Sequence, residues 1–273
     1  MKSIVKKIIR PYYKLFKLIL KLSLLKTIYV NFYKLPFSKA IKFPIFIYRR
    51  TKIISLKGDI LITSPIKTGL IKIGYNMDGV SLSMLPVQLN IVGRIIFNGY
   101  AIISKGATIS VYGELNIGNC CTIGSGSFIK TMQKIYLAEN VQITYDCTIF
   151  DSNMHYVKNI ETGIIRNNRA PIIIGKNCWI NSGTIVSKGT VIPDFSITAR
   201  NSYLNRDYTQ YGTNLFLVGS PAKPMNIKVQ RIFSRIEELR LKKEFEVQSC
   251  DEILLDIGLY DEKDDNELFF KNL

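Results

Sequence analysis

The chain has one histidine, and its position in the sequence points to acid–base chemistry. His155 lies in the segment 150–173, which interrupts a regular pattern on both sides. Histidine accepts and returns a proton at neutral pH more readily than other side chains. A lone histidine is also compatible with an ordinary hydrogen-bonding role. Long loops that interrupt a regular fold often contain functional residues, and we therefore predict that His155 is a general base.

Asp151 is the acidic residue nearest to this histidine in the sequence. Catalytic bases are commonly held in place by a third group, so we predict that Asp151 orients the imidazole of His155 or contacts the substrate. An aspartate at the start of a loop can equally form an Asx turn with the backbone that follows it. The sequence alone leaves both interpretations open.

The segments on either side of residues 150–173 follow a six-residue repeat. An aliphatic or small residue recurs every six positions, and a small residue follows it four positions later. Downstream the pairs are Ile174 with Cys178, Ile180 with Thr184, Val186 with Thr190, Ile192 with Ser196 and Thr198 with Ser202, followed by Leu204; upstream they are Ile103 with Ala107, Ile117 with Cys121, Ile123 with Ser127, Leu137 with Val141 and Ile143 with Cys147. A period of six fits neither a helix nor a hairpin meander. It predicts a solenoid of three short strands per coil, with the aliphatic residue in the core and the small one at a corner.

These hexads cover roughly residues 91–206 and are followed by the run Gly219-Ser220-Pro221-Ala222-Lys223. Together they resemble the hexapeptide-repeat acyltransferases, and within them the sugar O-acetyltransferases. The resemblance implies a mainly β chain built on a left-handed parallel β-helix and assembled as a homotrimer. The winding sense comes from the resemblance, because the period does not define it. Strand-like residues between Thr51 and Ile73 predict further coils before the hexads.

The resemblance also implies a reaction. In galactoside-type acetyltransferases a catalytic histidine precedes a tryptophan at the interval that separates His155 from Trp179, the only tryptophan of the chain. Both residues are therefore implied to be catalytic, although Trp179 is equally compatible with packing beside the loop. The implied chemistry is direct transfer of an acetyl group from acetyl-CoA to a sugar hydroxyl, with His155 taking the hydroxyl proton.

Four more residues are implied to contact the donor. Ser182 follows Trp179 as in the family and is implied to face the thioester arm. Coenzyme A carries a pyrophosphate and a 3′-phosphate, and Arg200, Arg206 and Lys223 occupy positions where the family contacts it. Each of the three cations is also compatible with an ordinary surface charge. No metal is implied, because the β-helical carbonic anhydrases need about three histidines on zinc and this chain has one.

The first 50 residues form a basic arm. They contain thirteen Lys or Arg, and no acidic residue occurs before Asp59, in a chain of net charge +16. Within residues 4–22 apolar residues recur at helical spacing opposite a stripe of lysines and an arginine, with a kink or break predicted at Pro11. Such a helix is typical of segments that lie on an anionic membrane surface. The alternatives are packing on its own protein and contact with nucleic acid, the latter not expected.

The sequence thus predicts three parts: the basic helical arm over residues 1–50, the β-helix over 51–225, and a C-terminal helix with an acidic tail over 226–273. Apolar residues at helical spacing predict that this last helix extends from Ile227 to about Phe245. The five cysteines form no C-x-x-C pair and are predicted to be reduced thiols.

The predicted function is an acetyl-CoA-dependent O-acetyltransferase that modifies a sugar hydroxyl of a bacterial surface polysaccharide, of capsule or O-antigen type, or its lipid-linked precursor. The nearest alternative is an N-acetyltransferase of a nucleotide-linked amino sugar. An alternative of another class is a non-catalytic β-helix scaffold or interaction module. We expect a cytoplasmic protein, peripheral at the inner face of the plasma membrane.

Overall fold

The computed structural model describes residues 18–77, 84–248 and 251–253, together with Tyr13, Phe16 and Phe270. Successive strands of the described chain join three sheets in rotation, so that each coil gives one strand to each sheet. This arrangement is a three-sided parallel β-helix. The predicted fold class, a mainly β chain built on a parallel β-helix with helices before and after it, is confirmed.

Within the described residues the three sheets have nine, seven and six strands. The nine-stranded sheet contains β1 (Ile45–Ile47), β4 (Ile71–Tyr75), β7 (Ala101–Ser104), β10 (Cys121–Ile123), β13 (Gln142–Ile143), β16 (Trp179–Ile180), β19 (Ile197–Thr198), β21 (Leu215–Gly219) and β22 (Ala222–Lys228). The seven-stranded sheet contains β2 (Thr51–Leu56), β5 (Val87–Ile91), β8 (Thr108–Val111), β11 (Phe128–Thr131), β14 (Thr148–Phe150), β17 (Ile185–Ser187) and β20 (Tyr203–Leu204). The six-stranded sheet contains β3 (Asp59–Ile62), β6 (Arg94–Phe97), β9 (Glu114–Ile117), β12 (Lys134–Leu137), β15 (Ile172–Ile174) and β18 (Val191–Ile192).

The core of the β-helix is a set of stacked aliphatic side chains. Ile123 pairs with Ile103 of the coil before it and with Ile143 of the coil after it, and all three are at most 1% exposed. The small residues of the hexads are buried at the corners, as Cys147 and Cys178 illustrate. Aliphatic side chains inside and small residues at the turns are what the six-residue repeat predicted.

Helices lie at both ends of the β-helix. α1 (Leu24–Lys34) and α2 (Phe37–Ala40) precede the first coil, and α3 (Arg235–Gln248) follows the last strand. No helix among the described residues is long and apolar enough to cross a membrane. Most of the amphipathic helix predicted over residues 4–22 lies outside the described residues.

Two predicted boundaries differ from the structure. Strand β1 is already part of the β-helix, although its residues were predicted to belong to the arm. The C-terminal helix begins at Arg235, because Ile227 lies in β22, which pairs antiparallel with β21 and closes the nine-stranded sheet. The strands Thr51–Leu56, Asp59–Ile62 and Ile71–Tyr75 confirm the early coils predicted between Thr51 and Ile73.

Candidate functional site

The segment that carries His155 leaves the β-helix at one corner of the fifth coil. In earlier coils two residues connect the seven-stranded to the six-stranded sheet, as Tyr112 and Gly113 do between β8 and β9. In the fifth coil the same connection, from β14 to β15, spans residues 151–171. The loop is therefore an enlarged corner, and the strands below and above it fix its two ends.

Asp151 occupies the point where the loop departs, and its side chain is fully buried. Its carboxylate accepts hydrogen bonds from the backbone N–H groups of Met132 at 2.7 Å, Gln133 at 2.8 Å and Lys134 at 2.7 Å, and from the Thr131 hydroxyl at 2.9 Å. All described hydrogen bonds of the carboxylate go to the end of β11 and the corner that follows it, one coil below.

The preceding coil shows why the Asp151 carboxylate bonds to the backbone of residues 132–134. There the N–H groups of Tyr112, Gly113 and Glu114 bond to backbone carbonyls of the next coil, those of Thr131 and Gln133. Above residues 132–134 the chain has left the coil, so the Asp151 carboxylate supplies the missing acceptors.

The structure therefore does not bring the Asp151 carboxylate to the imidazole of His155 in the way that the sequence predicted. Its carboxylate is buried in the scaffold, and no described hydrogen bond joins it to His155. The alternative interpretation, a side chain that bonds to backbone at the loop entrance, is nearer to what is found. The backbone concerned, however, precedes the aspartate by one coil instead of following it.

The loop itself is a short hairpin of defined shape. Isolated antiparallel bridges join Ser152 to Arg169 and Lys158 to Ile165. At the tip, the side-chain oxygen of Asn159 accepts hydrogen bonds from the backbone N–H of Glu161 at 2.9 Å and of Thr162 at 2.8 Å. Despite this internal order, all side chains from residue 153 to residue 167 are exposed. The hairpin therefore presents groups to its surroundings without a covering layer in the single chain.

His155 lies on one arm of this hairpin, with its backbone N–H bonded to the carbonyl of Asn153 at 2.7 Å. Its side chain lines a cavity of about 460 Å³ together with Arg166 and Lys188. Among the described residues no hydrogen bond occupies the imidazole. The cavity thus combines an accessible proton acceptor with two cationic side chains.

Arg166 and Lys188 were not predicted from the sequence. Arg166 lies on the return arm of the hairpin, and Lys188 lies in the sixth coil at the same corner as the loop. The ammonium of Lys188 donates to the carbonyl of Asn167 at 3.0 Å and so ties the loop to the next coil. The only available signal was that Arg166 falls inside the interrupted segment, since nothing in the hexads marks Lys188.

Trp179 lies on a different side of the triangular coil from the His155 loop. It belongs to β16 in the nine-stranded sheet, whereas the loop leaves between the other two sheets. The guanidinium of Arg231 stacks on its ring at 4.9 Å and on the ring of Phe233 at 5.0 Å. The same arginine bonds to Gln142, the neighbour of Trp179 in β13. A single chain therefore does not bring Trp179 to His155, and Trp179 packs against the C-terminal segment.

The residues predicted to contact coenzyme A occupy two corners and one strand. Ser182 and Arg200 lie at the corner between the nine- and seven-stranded sheets, one coil apart. Arg206 lies at the corner from which the loop departs, and Lys223 lies on β22. The three cations are exposed and take part in no described salt bridge, whereas Ser182 is 3% exposed. Burial of Ser182 does not present its hydroxyl at the surface of one chain.

No protein-family model matches the sequence, and no curated protein matches it. Among solved structures, the polySia specific acetyltransferase NeuO is 16% identical, with 76% of this chain and 94% of that chain covered and a TM-score of 0.45.

A hexapeptide transferase family protein from Anaplasma phagocytophilum is 17% identical, with 69% and 92% covered and a TM-score of 0.39. The N-acyltransferase AntD from Bacillus cereus, solved with dTDP and 3-hydroxybutyryl-CoA, is 14% identical, with 75% and 88% covered and a TM-score of 0.39. None of the three reaches a TM-score of 0.5, so the fold rests on the strands and hydrogen bonds of this chain.

Proposed function

We propose that the protein is an acetyl-CoA-dependent O-acetyltransferase that modifies a sugar hydroxyl of a bacterial surface polysaccharide, of capsule or O-antigen type, or of its lipid-linked precursor. The observation that carries the proposal is the presentation of the only histidine. The loop that enlarges one corner places His155 at a cavity, while the rest of the coil is a closed aliphatic core. The sequence resemblance to the hexapeptide-repeat acyltransferases supplies the donor.

In the proposed reaction His155 removes the proton from the acceptor hydroxyl as that oxygen attacks the thioester carbonyl. The C–S bond breaks, the acetyl group stays on the sugar oxygen, and the proton leaves with the thiol of coenzyme A. A positioned general base contributes about 10²- to 10⁴-fold to the rate. The exposed cations Arg200, Arg206 and Lys223 are proposed to hold the CoA phosphates, and Ser182 and Trp179 to lie along the donor.

A homotrimer would explain why these residues lie on separate sides of one chain. The His155 loop and Arg206 share one corner of the coil, whereas Ser182 and Arg200 share another. Two corners contribute to one site when the corner of one subunit faces a different corner of its neighbour. The hairpin also carries exposed apolar side chains, among them Ile160 at 94% and Val157 at 70%, which a subunit contact would cover.

An N-acetyltransferase of a nucleotide-linked amino sugar is the second candidate. Arg166 and Lys188 line the His155 cavity, and neither Asp nor Glu is among its lining residues. Two cations favour an acceptor that carries a phosphate or carboxylate, which fits a nucleotide-linked sugar as well as a lipid-linked one. A non-catalytic scaffold is the third candidate and predicts that CoA does not bind. We propose a cytoplasmic location, with residues 4–22 contributing to contact with the inner face of the plasma membrane.

Incubation of the purified protein with radiolabelled acetyl-CoA and candidate acceptors tests the proposal. We expect transfer by the wild type, a loss of about 10²- to 10⁴-fold with His155→Ala, and little change with Glu161→Gln in the same loop. Release of the label by alkaline hydroxylamine identifies an O-acetyl ester, whereas a stable label identifies an amide and favours the second candidate. Equal transfer by the wild type and His155→Ala would remove the assigned base.

A further inference from the structure

Side chains on the inner side of α1 form hydrogen bonds with the backbone of β1, the edge strand of the first coil, in the place where a neighbouring strand would otherwise pair. The carboxamide of Asn31 accepts the N–H of Ile45 at 3.1 Å and donates to the carbonyl of the same residue at 2.7 Å. The hydroxyl of Thr27, one helical turn away, accepts the N–H of Ile47 at 3.1 Å. Both side chains are buried. The helix is therefore fixed to the β-helix through the edge of β1, which would otherwise leave its backbone groups unpaired.

Three lysines attach the helices to the rest of the first coil. Lys26 donates to the carbonyl of Thr51 at 2.5 Å, Lys34 to that of Gly58 at 2.8 Å, and Lys39 to that of Ile62 at 3.1 Å. The acceptors belong to the seven-stranded sheet, the following corner and the six-stranded sheet. These contacts hold α1 and α2 across the end of the first coil, so that among the described residues their outer side forms the end of the β-helix.

That outer side is apolar and aromatic, and we call it the end face. Its residues are between 41% and 84% exposed. They are Leu24, Leu25, Ile28, Tyr29, Phe32, Tyr33, Phe37 and Ile41. Single exposed apolar residues are common on soluble domains, whereas a contiguous group of this size marks an interaction surface.

The sequence that forms the end face is basic. No acidic residue occurs in the first 58 positions of the sequence. Exposed cations stand at both ends of the two helices, with Lys21 before α1 and Lys42 after α2. A cavity of about 470 Å³ nearby is lined by Lys21 and Arg49 together with Tyr48 and Tyr75. The described part of this surface therefore combines an apolar centre with exposed cations at its rim.

We propose that the end face docks on an anionic phospholipid bilayer. In this orientation the axis of the β-helix points away from the membrane, and successive coils lie at increasing height above it. Leucine, isoleucine and phenylalanine side chains would enter the interfacial region, and the tyrosines would lie at headgroup level. The cationic rim and the cavity of Lys21 and Arg49 would meet lipid phosphates. A second copy of the same face is disfavoured, because it would bring the exposed cations of two rims together.

This orientation sets the height of the His155 loop, a consequence that rests on the proposed function. The loop leaves the fifth coil, four coil steps from the first, and each step between paired strands is about 4.8 Å. The root of the loop therefore stands about 20 Å from the first coil. An acceptor sugar displaced from its lipid anchor by a few residues of glycan would reach that height.

Co-sedimentation with vesicles tests the docking without any acceptor or donor. One set of vesicles contains phosphatidylglycerol with phosphatidylcholine, and the other contains phosphatidylcholine alone, both at physiological salt. We expect Leu25→Ser with Phe37→Ser to lower partition onto the anionic vesicles at least about tenfold, since burial of each side chain is worth more than that factor. The matched control, Leu239→Ser with Val247→Ser on α3, removes exposed apolar side chains from another helix and is expected to bind like the wild type.

A depth probe complements the partition experiment. The native tryptophan, Trp179, lies in the sixth coil, so lipids brominated in the acyl chains are expected to leave its fluorescence unchanged. With Tyr29→Trp we expect strong quenching by the same lipids. Unchanged partition of the Leu25/Phe37 double variant, or no quenching with Tyr29→Trp, would overturn the proposal.

Sedimentation of the double variant without lipid identifies the competing occupant. A loss of oligomers that leaves vesicle binding intact would assign the end face to contact between copies and also overturn the proposal. Failure of acetyl transfer is a separate result, because the double variant is expected to keep wild-type transfer to a soluble acceptor.

Discussion

The carboxylate of Asp151 accepts the backbone N–H of Lys134, one coil below it, across 2.7 Å. This contact and its companions close the β-helix where the His155 loop leaves it. A corner that needs two residues in the earlier coils can therefore be expanded into a hairpin without leaving the coil beneath it with unpaired backbone groups.

Replacing Asp151 is expected to affect stability. Asp151→Ala leaves three partly buried backbone N–H groups without their acceptor, and each lost hydrogen bond costs about 1 kcal/mol, so we expect a loss of roughly 3 kcal/mol. Urea unfolding measures this loss. His155→Ala, in the exposed part of the same loop, is the control and is expected to unfold like the wild type. Wild-type stability of Asp151→Ala combined with lost transfer would instead support a catalytic role.

The exposed cations are expected to affect the apparent affinity for the donor. Arg200→Ala, Arg206→Ala and Lys223→Ala each remove a proposed contact with a CoA phosphate, worth about 1.5–3 kcal/mol for a charged hydrogen bond. We expect KM for acetyl-CoA to rise about tenfold or more while kcat stays near that of the wild type. Steady-state kinetics with Lys242→Ala as the control check this. An unchanged KM in any variant identifies that residue as an ordinary surface charge.

The contact between Arg231 and Trp179 is expected to be visible in fluorescence, because Trp179 is the only tryptophan. Arg231→Ala removes the guanidinium that covers the ring, so we expect the emission to shift to longer wavelength and acrylamide quenching to increase. Arg240→Ala, which instead disrupts ion pairs with Glu237 and Glu244 on α3, is the control. An unchanged spectrum with Arg231→Ala would show that the C-terminal segment does not cover Trp179 in solution.

The corner cysteines are expected to be unreactive in the folded protein. Burial raises the pKa of Cys121 and Cys178 to about 12 and that of Cys147 to about 11. Their thiols are therefore protonated at mildly alkaline pH, and thiolate is the reactive form. We expect mass spectrometry to find these three unmodified after iodoacetamide treatment of native protein and modified after treatment in urea. Alkylation of Cys147 under native conditions would contradict its burial.

Lys72 is expected to make stability depend on alkaline pH. Burial lowers its pKa to about 8, and its ammonium donates to the carbonyl of Phe270 at 3.2 Å. Between about pH 8 and its ordinary value the unfolded chain binds a proton that the folded chain does not, so this group makes the free energy of unfolding rise with pH. The buried thiols act in the opposite direction, since they lose protons more easily when unfolded.

The contribution of Lys72 is therefore measured as the difference between the wild type and Lys72→Met. We expect urea unfolding to show Lys72→Met more stable than the wild type near pH 7, because a charged group no longer has to be buried. The difference in the free energy of unfolding between Lys72→Met and the wild type is expected to become smaller toward pH 10. A constant gap across this range would show that the lysine is solvated in the folded protein.

The hexads were sufficient to predict the coils, because each core position is recognised from the residue types within one hexad and does not depend on distant parts of the chain. Ile123 and Ile143 satisfy the pattern on their own, and stacking follows from repetition. The same logic indicated that residues 150–173 leave the scaffold and carry His155 out of it. By contrast, β1 was assigned to the arm, because Ile45–Ile47 is a short apolar run without a hexad around it.

Only the tertiary structure decided what the polar and charged side chains outside the hexad core contact. Asp151 reaches backbone about twenty residues earlier, Asn31 completes the edge of a strand that begins fourteen residues later, and Arg231 covers Trp179 from beyond the last strand. Such contacts depend on which coils become neighbours and where a strand edge is left open. The sequence by itself determined the coil and the exposed histidine, whereas stacking of the coils determined which polar groups serve the scaffold and which face the cavity.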